Sequence, residues 1–128
     1  MRPSEIFNTL LDKVSEVCEI KRESILNGSR IQAVVDARVL LVQYLRRIGL
    51  NDDDIALQFM RAKAGDNKLC PPIDEVKKKA KSIAKTFSLY SERCLQSYAF
   101  CLESIEIKAF CRDTYKGLYG YGMKELPE

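Results

Sequence analysis

Apolar residues recur at three- and four-residue spacing along most of the chain, the period of helices with one buried face. Ile6, Leu10, Val14 and Val17 form one stripe, with Phe7 and Leu11 beside it. They predict a first helix capped by Ser4 and running to about Cys18, with Glu5 in the first turn where the helix dipole favours an acid. A short helical turn is expected from Arg22 to Leu26, stopped by Asn27-Gly28. Ser29 then opens a third helix over about 30–48, ended by Gly49. Its Val34, Val35, Val39, Leu40, Leu41, Val42, Tyr44, Leu45 and Ile48 are apolar on nearly every side, which describes a central helix packed against several others. Asn51 caps a fourth helix, with Asp52, Asp53 and Asp54 in its first turn and Ile55, Ala56, Phe59 and Met60 as its buried face.

Gly65-Asp66-Asn67 and Pro71-Pro72 are turn chemistry and divide the chain in two. The expected organisation is a helical domain over 1–62, a loop over 63–71, a basic and aromatic helical extension over 72–116 and a tail over 117–128. A fifth helix begins near Pro72, with Ile73, Val76, Ala80, Ile83 and Phe87 as its seam. A sixth, from Ser88 or Ser91 towards Tyr115, carries Leu95, Tyr98, Leu102, Ile105 and Ala109 at the same spacing. One unbroken helix over both would be long for a globular domain, so a break is expected near Thr86-Phe87-Ser88. The tail, Gly117-Leu118-Tyr119-Gly120-Tyr121-Gly122, lacks the Gly-Lys-Ser/Thr ending of a phosphate loop and follows no strand. With no strand pattern anywhere, the fold class is all-α.

Composition narrows the function. The chain has 128 residues, 46% of them apolar and 30% charged, enough for one domain with its own core. It contains no histidine, which removes Ser-His-Asp and Cys-His catalysis and histidine metal sites. A carboxylate pair such as Glu103 and Glu106, or a cysteine or lysine nucleophile, would remain, but acids at i and i+3 on a helix more often make a solvated face. The chain therefore reads as a non-enzyme without a cofactor. Its five cysteines, an odd number with no Cys-x-x-Cys pair, suggest neither a disulfide framework nor a zinc site. Cys94 and Cys101 share a helical stripe about 10 Å apart, too far for a disulfide. Buried thiols in a reducing compartment are expected, with Cys70, beside two prolines, the most exposed. Asp52, Asp53 and Asp54 lack the spacing and the glycine of a calcium loop and are assigned to the helix dipole, so no metal site is expected. Neither a signal-peptide core nor an 18-residue apolar window is present, so a cytoplasmic protein without membrane association is expected.

Residues 5–62 carry a set of elements in a recognisable order. Val14-Ser15-Glu16-Val17 closes the first helix, and Ile20-Lys21-Arg22-Glu23-Ser24-Ile25-Leu26 and Ser29-Arg30 follow. Next come Val34-Val35-Asp36-Ala37-Arg38, Leu41-Val42-Gln43-Tyr44-Leu45-Arg46, and Leu50-Asn51-Asp52-Asp53-Asp54-Ile55-Ala56. This order resembles the C-terminal, DNA-box-binding domain (domain IV) of the bacterial replication initiator DnaA, a helix-turn-helix module related in shape to the Trp repressor. The resemblance implies that Arg38 enters the minor groove, that Ser29 and Arg30 precede the long helix, and that 55–60 form the supporting helix of the helix-turn-helix. The family's next stretch, a Gly-Arg-Asp-His-Thr-Thr-Val-like recognition helix, has no match after Met60. Either the recognition helix has moved to the lysine-rich segment after Pro72, or the chain keeps the scaffold without the reading head.

The net charge of +3 is too small to imply nucleic acid alone. Its distribution matters more, because Lys77 to Arg93 holds six basic residues and one acidic. If Lys77, Lys78, Lys81 and Lys85 neutralise about four phosphates, log K falls with log salt at a slope of about −3.6. The fifth helix offers no base reader of its own, so selectivity would come from Arg38, Arg61 or Asn67. Lys63 and Lys68 add charge in the connecting segment. The expected function is a small bacterial DNA-binding regulator of modest specificity, with double-stranded DNA as partner. The competing class is a helical interaction module that lost DNA reading, forming a homodimer or binding a protein through the 88–116 helix. Phe87, Tyr90, Tyr98, Phe100, Phe110, Tyr115, Tyr119 and Tyr121 would then make its surface or complete its core.

Overall fold

The computed structural model describes residues 2–66, 68–97 and 105–120, and for 89–97 the backbone alone. Six helices lie among them: α1 Pro3–Cys18, α2 Arg22–Leu26, α3 Gln32–Ile48, α4 Asp52–Ala64, α5 Ile73–Ser97 and α6 Ile105–Tyr119. The described residues include no strand, so the fold is all-α.

Local chemistry accounts for most boundaries. Pro3 opens α1 at a position where no amide donor is needed, and Arg2, not Ser4, is its cap. Asn51 caps α4 as expected, its Oδ1 accepting from the Asp54 amide at 2.8 Å. Ile31 precedes α3, so that helix starts two residues later than its polarity suggested; Ser29 Oγ accepts from the Ile31 amide instead. α3 ends at Gly49, where φ is +113° and a Cβ would land on the Tyr119 hydroxyl from α6. Gly49→Ala is therefore expected to destabilise the chain by about 1–2 kcal/mol or more, read as a lower midpoint in urea.

α3 is the central helix, in contact with all five others. Tyr44, Leu40, Leu41, Leu45 and Ile48 are fully buried along it. Phe7 of α1 meets Phe59 of α4 edge to face, ring centroids 4.9 Å apart. Gln43 sits in this apolar helix with both side-chain polar atoms buried and no partner among the described residues. An unsatisfied buried amide costs about 1–3 kcal/mol, so Gln43→Met is expected to raise the melting temperature.

The Gly65–Pro72 turn separates two segments in sequence but not two cores. Val76, Ala80 and Ile83 of α5 and Ile107 and Cys111 of α6 belong to the same cluster as Phe7, Leu41 and Ile55. The break expected at Thr86-Phe87-Ser88 is absent, and α5 runs unbroken for 25 residues. No glycine or proline interrupts those three residues, and Phe87 anchors them beneath the Arg46 guanidinium, 4.1 Å from the ring centroid. The seam assigned to the sixth helix is corrected where it is described. Ile105 is 81% exposed, while Ile107, Cys111 and Thr114 face inward. α6 packs against α1 and α3. Leu95 is described only by its backbone, and Tyr98 and Leu102 lie outside the described residues.

Candidate nucleic-acid interface

α5 brings the predicted lysines together because its apolar seam is narrow. Val76, Ala80 and Ile83 turn onto α3 and α4, and at 100° per residue the positions between them point away. Lys77, Lys78, Lys81 and Lys85 are all exposed. Lys78, Lys81 and Lys85, at three- and four-residue spacing, form the outward stripe. Lys77 and Lys81 also line a shallow groove opposite Asp52 and Asp53, where the acids of the α4 first turn temper their charge. Asp52 itself is committed to Arg46, accepting at 2.9 and 3.0 Å, so the triple acid serves cap and ion pair.

The turn leading into α5 holds the next group. Arg61 donates through Nε to the Leu69 carbonyl at 2.6 Å, tying the end of α4 to the turn. The Lys68 amide donates to Asp66 Oδ1 at 2.8 Å, and its side chain is exposed, as is that of Lys63. Asn67 lies outside the described residues. At the start of α5, Asp74 and Glu75 occupy the first turn. A recognition helix entering the groove by that end would carry two acids towards DNA phosphates.

Arg38 is held within the chain. From α3 its Nε donates to the Ile25 carbonyl at 2.7 Å, and its terminal nitrogens donate to the carbonyls of Ser24 and Ser29 at 3.3 Å. It clamps the end of α2 and the following turn to α3, with its guanidinium half-buried and its pKa pushed down by that burial. Most of its donors are thus engaged within the chain.

Ser29, Arg30 and Arg38 do converge, on a cleft of about 450 Å³ between the α2–α3 turn, α3 and α5. Lys79, which the sequence does not single out, is the third cationic side chain of that lining. Its place beside the seam turns it inward, half-buried, 5.8 Å from the Phe59 ring centroid. Burial, then Arg38, then Lys63 push its pKa down. Arg46 was also missed, although it joins α3, α4 and α5 through Asp52 and Phe87. Four lysines within the five positions 77–81, broken once by Ala80, leave at least one of them beside the seam.

Among the cysteines, Cys70 is exposed and Cys111 buried, its thiol pushed up to about 12 by that burial. Such a thiol is unreactive at neutral pH. Glu106 is exposed and paired with Lys13 of α1, a tie between helices. No group of metal-ligating side chains is found among the described residues, and no helix there is long and apolar enough to cross a membrane.

Comparison of the chain with protein-family models, with curated proteins and with solved structures gives no match.

Proposed function

We propose that the chain is a small bacterial DNA-binding module of the cytoplasm, with a helix-turn-helix scaffold like those of DnaA domain IV and the Trp repressor. α4 is its supporting helix and α5 its DNA-facing helix. The observation that carries this reading is the seating of α5. It follows α4 through one turn and buries Val76, Ala80 and Ile83 while leaving Lys78, Lys81 and Lys85 exposed in a row. That arrangement suits lateral contact with phosphates better than entry of the helix end into a groove, because Asp74 and Glu75 occupy that end. Lys63 and Lys68 extend the same charge along the turn.

Binding of this kind neutralises phosphate and selects sequence only weakly. With about four phosphates neutralised, affinity for a 20-base-pair duplex falls by about 150-fold between 50 and 200 mM salt. Gel retardation or fluorescence anisotropy across that range tests it. A salt-independent affinity, or no binding at about 50 mM salt, sinks the proposal.

A second reading is supported by Ile105, whose 81% exposure on a helix is unusual for a large apolar side chain. As part of an interaction module, the 88–116 segment would pair with a second copy or another protein through it. Sedimentation distinguishes this reading: a dimer that Ile105→Lys dissociates supports it, and a monomer that still binds DNA removes it.

A further inference from the structure

We infer that the cleft between the α2–α3 turn, α3 and α5 binds a small organic phosphate, its phosphate held by Lys79, Arg30 and Arg38 and its apolar body lying on Val35, Val39 and Val42. The lining is chemically one-sided. It carries three cationic side chains, the hydroxyls of Ser29, Ser82 and Thr86, and no carboxylate. Asp36, on the same stretch of α3, is buried, accepts from Gln32 at 2.8 Å and does not line the cleft. The volume of about 450 Å³ lies within the range of small-molecule sites and accommodates a ligand the size of a mononucleotide.

Lys79 is the strongest indication. Its exposed neighbours on α5 keep their ammonium groups in water, whereas Lys79 is half-buried, facing the positive charges of Arg38 and Lys63. Among the described residues it makes neither a hydrogen bond nor an ion pair, and the Phe59 ring gives it only a long contact. Desolvation and like charge both work against a cation there, and no carboxylate among the described residues offsets them. An anion in the cleft supplies the missing partner, with Arg38 already fixed in place by the carbonyls of Ile25 and Ser29. Arg30 is exposed at the rim, and the valines and Ile83 give an apolar wall that inorganic phosphate would leave uncovered.

The test is titration of the full-length, isotope-labelled chain with adenosine 5′-monophosphate, ribose 5-phosphate and inorganic phosphate, followed by amide shifts. At least one organic phosphate is expected to saturate shifts at residues 28–32 and 79–87 with a Kd below about 1 mM, and more tightly than inorganic phosphate. Lys79→Met keeps the stem and removes the charge, so it is expected to weaken that binding at least about tenfold while raising the melting temperature. Ser82→Glu, at an exposed lining position, is expected to weaken it similarly by repulsion. The Lys78, Lys81 and Lys85 triple glutamate variant is expected to retain it, which separates this site from the outer stripe. The inference is overturned if none of the three probes binds below about 10 mM. It is equally overturned if Lys79→Met binds like the parent chain, or if it lowers the melting temperature. Shifts at these residues with a DNA duplex but with none of the three probes would reassign the cleft to a backbone phosphate and also overturn it.

Discussion

Replacing Lys78, Lys81 and Lys85 together by glutamate is expected to lower affinity for duplex DNA at least about a hundredfold at 50 mM salt, leaving the fold intact. All three side chains are exposed and lie outside the hydrophobic core, so nothing packed is disturbed. Lysine and glutamate have similar helix propensities, and the i, i+3 and i, i+4 repulsion among three cations is exchanged for repulsion among three anions. Lys81→Glu also meets Asp52 and Asp53 across the shallow groove, so the melting temperature should fall modestly, and affinity is compared where both chains are folded. The loss of affinity should be far larger. Three of about four phosphate contacts are lost, the counterions they released stay bound, and each new carboxylate faces a phosphate. The salt slope should fall from about −3.6 towards zero. The corresponding glutamine variant should lie between the two, because it removes attraction without adding repulsion. If the triple glutamate variant binds like the parent chain, the outward face of α5 is not the contact surface, and Lys63, Lys68 or the α2–α3 turn must be examined instead.

Much of the fold was legible because its signals are local. Asn51 before three aspartates, Gly49 after a long apolar run, and the stripe Ile6, Leu10 and Val14 each act within a turn or two, and the helices follow them. The failures share a cause: they depend on contacts distant in sequence. Nothing around Thr86-Phe87-Ser88 reveals that Phe87 will lie beneath Arg46, forty-one positions earlier, and so the helix was expected to stop there. The inward phase of α6 is set by its packing against α1 and α3, which turns Ile107 and Cys111 in and leaves Ile105 out. The candidate site divides the same way. That a lysine run would present an exposed face follows from the width of the seam. That Lys79 would be turned into a cleft beside Arg38 depends on how α5 crosses α3, which a helical period does not specify.

Arg38→Met is expected to destabilise the protein by about 2–3 kcal/mol, and Arg38→Lys nearly as much. The guanidinium spans three carbonyl groups, those of Ser24, Ile25 and Ser29, and each hydrogen bond carries the help of its charge. Methionine fills the space but leaves those carbonyls without their donor. Lysine restores the charge but presents one compact ammonium group where a planar fork reached three acceptors. For a chain of this length the loss corresponds to a fall of roughly 10 °C in melting temperature, measurable by circular dichroism. The resemblance to the initiator domain assigns the same residue to the minor groove, and that role makes the opposite prediction. There, either variant would keep its stability and lose DNA affinity at 20 °C, where both remain folded. Retained stability in Arg38→Lys would show that the three hydrogen bonds contribute little and that the guanidinium is available to leave its turn. Lost stability with near-parental affinity per folded molecule would assign Arg38 to the scaffold. It would also leave α5 as the element whose charge must account for binding.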